Sequence, residues 1–328
     1  MNISGFSPGK TAWTWEPSDP YFTGGIINDS TATQPTWCSF QGVACGSVPK
    51  TALYSSVLSI NLEFLSLNGT LPSSIGNFGS LTELNMGRNS ISGTIPQSIG
   101  DLTSLKSLNL GFNALFGAIP STMTALTTLE TIIMNSNKLA GSIPLFATKF
   151  KSLKTVNLNT NRFIGSIPSV IGELNSLTTF SIGSNLLVGT IPGTISKLTG
   201  LVSIMLDNNS LKGTIPSGID KLVLLSKINL NSNSLSGTIP STFSALKVLR
   251  TLDLNFNYLT MGTASTVPIS TFSDVTYRGS LDLSSNCLRF TNFDMTVVTP
   301  TRCQLVPTSK LMSTAIDSYR FDRNLTNI

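Results

Sequence analysis

The chain has 328 residues, of which 40% are hydrophobic and only 11% are charged. Its 21 basic and 16 acidic residues leave a net charge of +5 without any run of Lys or Arg, which argues against nucleic-acid binding. No stretch approaches the roughly 18 apolar residues that a membrane span requires. The chain also has no His, the commonest acid–base group of enzymes, and no sequence motif for a metal or another cofactor.

Residues 1–56 do not follow the pattern that dominates the rest of the sequence, and we predict that they form an N-terminal cap. The first ten residues lack the basic region and apolar run of a secretion signal. Two interpretations remain open. Either a signal was removed or lies outside this sequence, or the protein stays inside the cell.

From Val57 onwards the sequence repeats every 24 residues. Each repeat has apolar side chains at one position, three residues later and two residues after that, as in Leu105, Leu108 and Leu110. The second and third of these flank one polar residue, which is the period-2 pattern of a β-strand. Because one such strand cannot bury its inner face alone, the repeats must stack into a parallel sheet over a continuous core.

An Asn follows each predicted strand, in a column that consists of Asn89, Asn113, Asn137, Asn161, Asn185, Asn209, Asn233 and Asn257. A side-chain amide both donates and accepts hydrogen bonds. The column can therefore satisfy backbone groups at the bend after the strand and link neighbouring turns. We predict that it is a structural Asn ladder.

The second half of each repeat places Gly two residues before an apolar residue that precedes Pro, as in Gly117-Ala-Ile-Pro120. Proline lacks an N–H and holds its predecessor in extended geometry, so this segment should run extended without full ladder pairing. The segment that follows, such as residues 97–102, fits a short helical or 3-10 turn. The repeats extend over 57–277 as about nine units, the last with an insertion, and residues 278–328 should form a degenerate repeat, a C-terminal cap and a tail.

The segment that begins at Leu105, Leu-Lys-Ser-Leu-Asn-Leu-Gly-Phe-Asn-Ala-Leu-Phe-Gly-Ala-Ile-Pro, resembles the plant-type leucine-rich repeat. That repeat is found in receptor-like kinases, receptor-like proteins and polygalacturonase-inhibiting proteins, and the resemblance covers about two-thirds of the chain. It implies an α/β solenoid. We expect a right-handed superhelix with a parallel β-sheet on its concave face and short helical or 3-10 turns on its convex face.

The four cysteines stand at the two ends of the repeats, as Cys38, Cys45, Cys287 and Cys303. The segment from Cys38 to Cys45 is similar to the N-terminal cap of plant-type repeat ectodomains, although Phe40 stands where that family usually has Trp. Because the two ends of a solenoid are far apart, only pairing within each end is within reach. Such disulfides would indicate an oxidising compartment. Four reduced, buried thiols in a cytosolic protein are the alternative.

Three Asn residues are candidate N-glycosylation sites because each begins an Asn-x-Ser/Thr sequence: Asn28, Asn68 and Asn208. The signal is weak, since several matches arise by chance in a chain so rich in Asn, Ser and Thr.

The predicted concave face is mostly small, neutral and polar, and the candidate ligand-binding residues differ from that background. They are Phe64, Arg88, Asn109, Phe112, Ile133, Met205 and Phe256. Aromatic, Arg and Met side chains are common anchors of interfaces. We prefer a contiguous patch of Arg88, Asn109, Phe112 and Ile133. The alternative is that each is an isolated surface residue with no binding role.

The resemblance implies a non-catalytic extracellular or cell-surface recognition module, either a receptor-like ectodomain or a secreted inhibitor. We expect it to be monomeric when free and to bind a peptide, protein or carbohydrate ligand on its repeat surface, alone or as part of a membrane-anchored receptor. One alternative is ice binding, because regular strands place Ser and Thr in rows, of which Thr70, Thr94, Ala118, Ser142, Ser166, Thr190, Thr214 and Thr238 form an uncharged one. An intracellular protein-interaction scaffold is the other.

Overall fold

The computed structural model describes residues 42–45, 56–144, 149–260 and 280–282. Only 42–45 and 56 of the predicted N-terminal cap, and only 280–282 of the predicted C-terminal segment, fall in these ranges. Cys38, Cys287, Cys303 and the candidate glycosylation site Asn28 lie outside the described residues.

The concave face is an 11-stranded sheet whose strands lie side by side in the order in which they occur along the chain. The first two strands are antiparallel, and the later pairs are parallel with a register of one repeat, so that Asn85 opposes Asn109 and Asn109 opposes Ile133. The strands are Val43–Cys45, Val57–Asn61, Glu83–Asn85, Ser107–Asn109, Thr131–Ile133, Thr155–Asn157, Thr179–Ser181, Ser203–Met205, Lys227–Asn229, Thr251–Asp253 and Ser280–Asp282.

The core is a single apolar cluster that runs along the stacked repeats from Val57 to Leu259. The apolar columns that the sequence places inside are buried in every described repeat; Leu105, Leu108 and Leu110, for example, have no exposed surface. Each repeat buries its strand against the next one, which confirms the predicted α/β solenoid.

The convex face consists of short 3-10 helices, each five residues long and each preceded by a Pro in extended geometry or close to it. One apolar side chain of each helix, such as Ile99, is buried in the core. The helices are Ser73–Asn77, Gln97–Asp101, Ser121–Ala125, Ser169–Glu173, Gly193–Lys197, Ser217–Lys221 and Ser241–Ala245. None of the described helices is long and apolar enough to cross a membrane.

A second set of parallel strands, which we call the lateral ladder, runs along one side of the solenoid and was not predicted from the sequence. Its strands are Asn68–Thr70, Ser90–Gly93, Ala114–Gly117, Lys138–Ser142, Arg162–Gly165, Leu186–Leu187, Lys212–Gly213, Ser234–Thr238 and Tyr258–Thr260. Residues 22 apart oppose each other here, as Asn68 and Ser90 do, whereas the concave sheet pairs residues 24 apart. Full pairing was not expected in this segment because of the Pro, but the paired residues all lie before it.

The glycine of each repeat lies in this ladder with a positive φ, which is 81° at Gly93. A Cβ built on Gly93 would lie 2.9 Å from Thr70 Cγ2 of the preceding repeat. The glycine column therefore allows both the local turn and the close approach of neighbouring repeats.

Candidate functional site

The ladder Asn side chains stitch each repeat to the previous one. In Asn185, Oδ1 accepts a hydrogen bond from the Phe163 N–H at 3.0 Å, and Nδ2 donates to the carbonyl oxygens of Leu158, Ile182 and Gly183 at 3.1, 3.0 and 3.0 Å. The other seven ladder Asn residues make the same contacts. Asn185 is only 7% exposed. These amides are fully hydrogen-bonded to the backbone and are not available to a ligand.

The residue immediately before each ladder Asn has a left-handed backbone, and so does Phe64, which precedes Leu65 at the same repeat position; φ lies between 50° and 59°. This left-handed column consists of Phe64, Arg88, Phe112, Ser136, Thr160, Ser184, Asn208, Ser232 and Phe256. L-residues with large or branched side chains seldom adopt this conformation because Cβ crowds the backbone. The Phe and Arg members are exposed to solvent. Four of the residues nominated from the sequence therefore share one strained, outward-facing position.

Arg88 and Phe112, which occupy this column in neighbouring repeats, contact each other. The guanidinium carbon of Arg88 lies 4.7 Å from the centre of the Phe112 ring, within range of a cation–π interaction. Arg88 Nε also lies 3.5 Å from Glu63 Oε1, and Asn85 Nδ2 donates to Glu63 Oε2 at 3.0 Å. Because the ion pair is exposed, it contributes only about 0–1 kcal/mol to stability. Its main effect is to hold the guanidinium in place over the ring.

Asn109 and Ile133 lie beside this pair on neighbouring strands of the concave sheet. Two glycines let them approach the backbone. A Cβ on Gly87 would lie 2.9 Å from Asn109 Nδ2, and one on Gly111 would lie 3.2 Å from Ile133 Cγ2. The structure therefore brings Arg88, Asn109, Phe112 and Ile133 together over a floor of glycine backbone.

Glu63, Gly87 and Gly111 belong to this region, and the sequence analysis did not nominate them. All three occupy one repeat position, two residues after the Asn of the concave strand. Most other repeats have Asn or Asp at that position, as at Asn135 and Asn159, although Gly183 has glycine there as well. The departure of Glu63, Gly87 and Gly111 from this Asn-rich column was the available signal.

The Asn side chains of the concave strands are partly engaged by the backbone. Asn109 Oδ1 accepts a hydrogen bond from the Gly111 N–H at 3.0 Å. The same contact, from side-chain oxygen to the N–H two residues later, is made by Asn61, Asn85, Asn157 and Asn229. Such Asx turns bend the chain after the strand. At Asn109 only the amino group remains to meet a partner.

The other nominated residues lie apart from this patch. Met205 is three strands beyond Ile133, which places it about 14 Å away. Phe256 is six repeats beyond Phe112, or roughly 29 Å along the solenoid. Phe64, 76% exposed, lies two repeats before Phe112, and its N–H donates to the carbonyl oxygen of Gly87 at 3.1 Å.

Two of the glycosylation candidates lie on described surfaces. Asn68 is half-buried in the first strand of the lateral ladder. Asn208 is exposed, and its Nδ2 lies 3.1 Å from Asp207 Oδ2. Within the described ranges, no three His, Cys, Asp or Glu side chains come together in a way that could hold a metal ion.

One carboxyl group among the described residues has a shifted pKa. The Lys154 ammonium donates a hydrogen bond of 2.6 Å to Glu130 Oε2, and this bond, with the attraction between the charges, lowers the pKa of Glu130. Both side chains are exposed, and the pair connects neighbouring repeats one residue before their concave strands. The pair includes none of the candidate ligand-binding residues.

Comparison with known proteins supports the same repeat architecture. A leucine-rich-repeat family model matches residues 199–259, and another matches 80–102 and 152–174. No protein with curated annotation is significantly similar in sequence.

Two solved plant structures are similar over most of the chain. The plant peptide hormone receptor RGFR1, in complex with RGF2, is 32% identical over 68% of this chain, with a TM-score of 0.63. The ectodomain of the Arabidopsis thaliana receptor kinase GASSHO1/SCHENGEN3, in complex with CASPARIAN STRIP INTEGRITY FACTOR 2, is 31% identical over 77%, with a TM-score of 0.68. The chain spans 35% and 32% of the length of those two proteins.

A plant ice-binding protein is 23% identical over 74% of this chain and 83% of its own, with a TM-score of 0.54, and shows a similar fold only. Leucine-rich-repeat ectodomains are typically non-catalytic. The chain is built of plant-type leucine-rich repeats, and its repeat array resembles the ectodomains of plant receptor kinases.

Proposed function

We propose that this chain is a non-catalytic recognition module that binds a peptide, or an extended segment of a protein, at the Arg88–Phe112 patch. The observation that carries the proposal is the stacking of Arg88 on Phe112 at 4.7 Å, on two backbone positions held in a strained conformation. The same backbone conformation recurs throughout the left-handed column, so it is the contact between Arg88 and Phe112 that distinguishes this place from the other repeats. A rigid Arg–aromatic pair loses little entropy when a ligand binds.

The chemistry of the patch suggests the ligand. Among the described residues, Glu63 pairs with Nε of the Arg88 guanidinium. The terminal N–H groups of Arg88 can therefore donate hydrogen bonds to a carboxylate or carbonyl oxygen of the ligand. Ile133 and the exposed part of the Phe112 ring offer apolar contacts. The Asn109 amino group adds a hydrogen-bond donor. A peptide with an apolar side chain next to an acceptor group fits this combination better than an uncharged carbohydrate.

The test selects binders of the wild-type protein and then compares their affinity for matched variants. A displayed library of linear peptides and a panel of cell-wall oligosaccharides are screened against the wild-type protein, and dissociation constants are measured for the enriched binders. Phe112→Gly removes the ring from a position whose backbone suits glycine, so the fold is retained. We expect the binders to be peptides and their affinity to fall about tenfold or more in this variant.

Phe256→Gly is the control, because Phe256 and Phe112 occupy the same repeat position with φ of 51° and 54° and exposures of 47% and 46%. It should leave affinity unchanged. Equal losses in the two variants, or enrichment of oligosaccharides alone, would contradict the proposed site.

The same proposal places the protein in an extracellular or cell-surface compartment. Cys45 takes part in a disulfide in this structure, and the Cys38–Cys45 pair expected from the sequence would require an oxidising environment. The resemblance to plant receptor ectodomains supports the same location.

Intact mass with and without reductant, followed by peptide mapping of protein from its natural source, tests the compartment. We expect a Cys38–Cys45 and a Cys287–Cys303 disulfide. Glycan should be found at Asn208 more readily than at Asn68, since Asn208 is the more exposed. Four free thiols without glycan would instead indicate an intracellular scaffold.

Ice binding is the second candidate function. It is favoured by one observation, that all eight side chains of the column from Thr70 to Thr238 are exposed. Ice-recrystallisation inhibition by the wild type, lost in Thr214→Lys and kept in Thr103→Lys on the convex side, would support it. No inhibition by the wild type would eliminate it.

A further inference from the structure

The lateral ladder presents a group of large apolar side chains to solvent. None of them belongs to the Arg88–Phe112 patch. Phe116, Ile164, Leu186 and Val188 are 50%, 52%, 57% and 49% exposed. We call these four residues the lateral patch. Phe116, Ile164 and Val188 occupy one repeat position, with Ala140 between the first two, so they form a column about 14 Å long.

The members of the patch are held close together by the ladder. Ile164 and Leu186 oppose each other in register on neighbouring strands, and the Val188 N–H donates to the carbonyl oxygen of Gly165 at 2.8 Å. Several large apolar side chains exposed in neighbouring strands of one ladder differ from the single exposed apolar residues that any protein surface contains. It indicates an interaction site.

Charge identifies the kind of partner. Three cations lie in the strands of the lateral ladder: Lys138, which opposes Phe116, Arg162, which opposes Ala140, and Lys212. None of the described strands of the lateral ladder contains Asp or Glu. The three cations are exposed, and no ion pair joins them to another described residue.

We propose that the lateral patch docks a second protein, through a contact segment that has apolar side chains at its centre and carboxylates around them. The apolar column would form the desolvated centre of this interface, and the cations would form its rim. Rim charges steer the encounter and exclude partners with basic contact surfaces. This surface is distinct from the ligand patch, so the chain could hold a ligand and a protein partner together.

Two other occupants fit the patch less well. A second copy of this chain, docked through the same surface, would bring the cations of one copy against those of the other, which is unfavourable. An anionic membrane surface attracts clusters of about four to eight basic residues, whereas the described lateral-ladder strands contain three. An acidic protein segment satisfies both the apolar column and the cations.

The experiment is a displayed-peptide selection on the full chain. The selecting protein is Phe112→Gly, so that binders of the Arg88–Phe112 patch are disfavoured in the selection. We expect the enriched peptides to carry Asp or Glu on both sides of at least two large apolar residues. The affinity of synthetic copies should fall about tenfold in Ile164→Ser/Leu186→Ser.

The control is Val223→Ser/Leu224→Ser, which removes apolar side chains that are equally exposed, at 52% and 50%, from the convex side. It should leave peptide affinity unchanged. The proposal is overturned if no acidic–apolar pool is enriched, or if both double variants weaken binding alike. It is also overturned by patch-dependent dimerisation in analytical ultracentrifugation, or by patch-dependent binding to phosphatidylserine vesicles.

Discussion

Two columns of residues, adjacent in sequence, behave in opposite ways in this solenoid. The ladder column has Asn in all eight described repeats from Asn89 to Asn257, and each side chain bonds at least four backbone groups, as Asn185 does. The left-handed column, one residue earlier, has the same backbone conformation throughout but contains Phe, Arg, Ser, Thr and Asn. The first column is constrained in side chain and backbone, and the second only in backbone.

The difference shows how a repeat protein separates folding from recognition. At the ladder position, any other side chain leaves buried backbone groups without partners. At the left-handed position, the side chain projects away from the core, so its chemistry varies without disturbing the stack. The ligand patch that we propose is built on this second column, next to residues that the fold cannot change.

The largest expected effect on stability comes from changing a ladder amide to an isosteric carboxylate. Asn185→Asp would place a negative charge against the carbonyl oxygens of Leu158, Ile182 and Gly183, at a cost of about 3–5 kcal/mol for an uncompensated buried charge. Asn185→Ala should cost less, about 1–3 kcal/mol. Urea unfolding measures both. The penalty of the Asp variant should shrink at low pH, where the carboxyl is protonated and regains a donor.

Asn175→Asp is the matched control, because Asn175 is exposed in the same region of the chain. Its effect should stay within about 0.5 kcal/mol. If Asn185→Asp destabilises the protein no more than Asn175→Asp does, the ladder is not a determinant of stability.

The left-handed column is tested by removing its strain. Thr160 has a β-branched side chain at φ 55°. Glycine there would release about 1–2 kcal/mol of strain and add about 0.4–1 kcal/mol of unfolded-state entropy. We therefore expect Thr160→Gly to stabilise the protein by about 0.5–1 kcal/mol in urea unfolding.

Asn208→Gly is the control for Thr160→Gly, since Asn208 has φ 50° but Asn tolerates the left-handed region. Its stability should change little. Destabilisation by both substitutions would mean that the column is not strained.

The smallest expected effect on stability comes from the exposed ion pair between Lys154 and Glu130, which joins neighbouring repeats. Lys154→Met should raise the pKa of Glu130 towards its ordinary value, as measured by NMR titration of the carboxyl group. The pKa is lowered in the folded chain. The pair therefore stabilises the fold above the unfolded-state pKa of Glu130, and that contribution disappears as the pH falls through the folded-state value.

At neutral pH the unfolding free energy of Lys154→Met should differ little from that of the wild type, because water screens both charges. A loss as large as that of Asn185→Ala would show that exposed contacts between repeats matter as much as buried ones.

The fold was predictable because each repeat contains the residues that determine its own local structure. The apolar columns, the Asn column and the Gly and Pro positions recur every 24 residues, so one correct interpretation applied to the whole described array. The lateral ladder was missed because its pairing joins residues 22 apart, an offset that follows from how the repeats lean on one another.

The candidate site was only partly predictable. Arg88, Phe112, Asn109 and Ile133 stood out because their chemistry breaks a neutral polar background. Glu63 and the two glycines were missed, since their roles depend on contacts with other repeats. The sequence also did not reveal that the side-chain oxygen of Asn109 accepts a hydrogen bond from the N–H two residues later.

The sequence by itself determined the repeat, the direction of stacking and the residues that fill the core, because burial and backbone hydrogen bonding recur with a fixed period. Only the tertiary structure decided which exposed side chains meet. Arg88 stacks on Phe112 while the equivalent Phe256 lies six repeats away, and Ile164 meets Leu186 through a register between repeats. Contacts between repeats depend on three-dimensional offsets that no single repeat encodes.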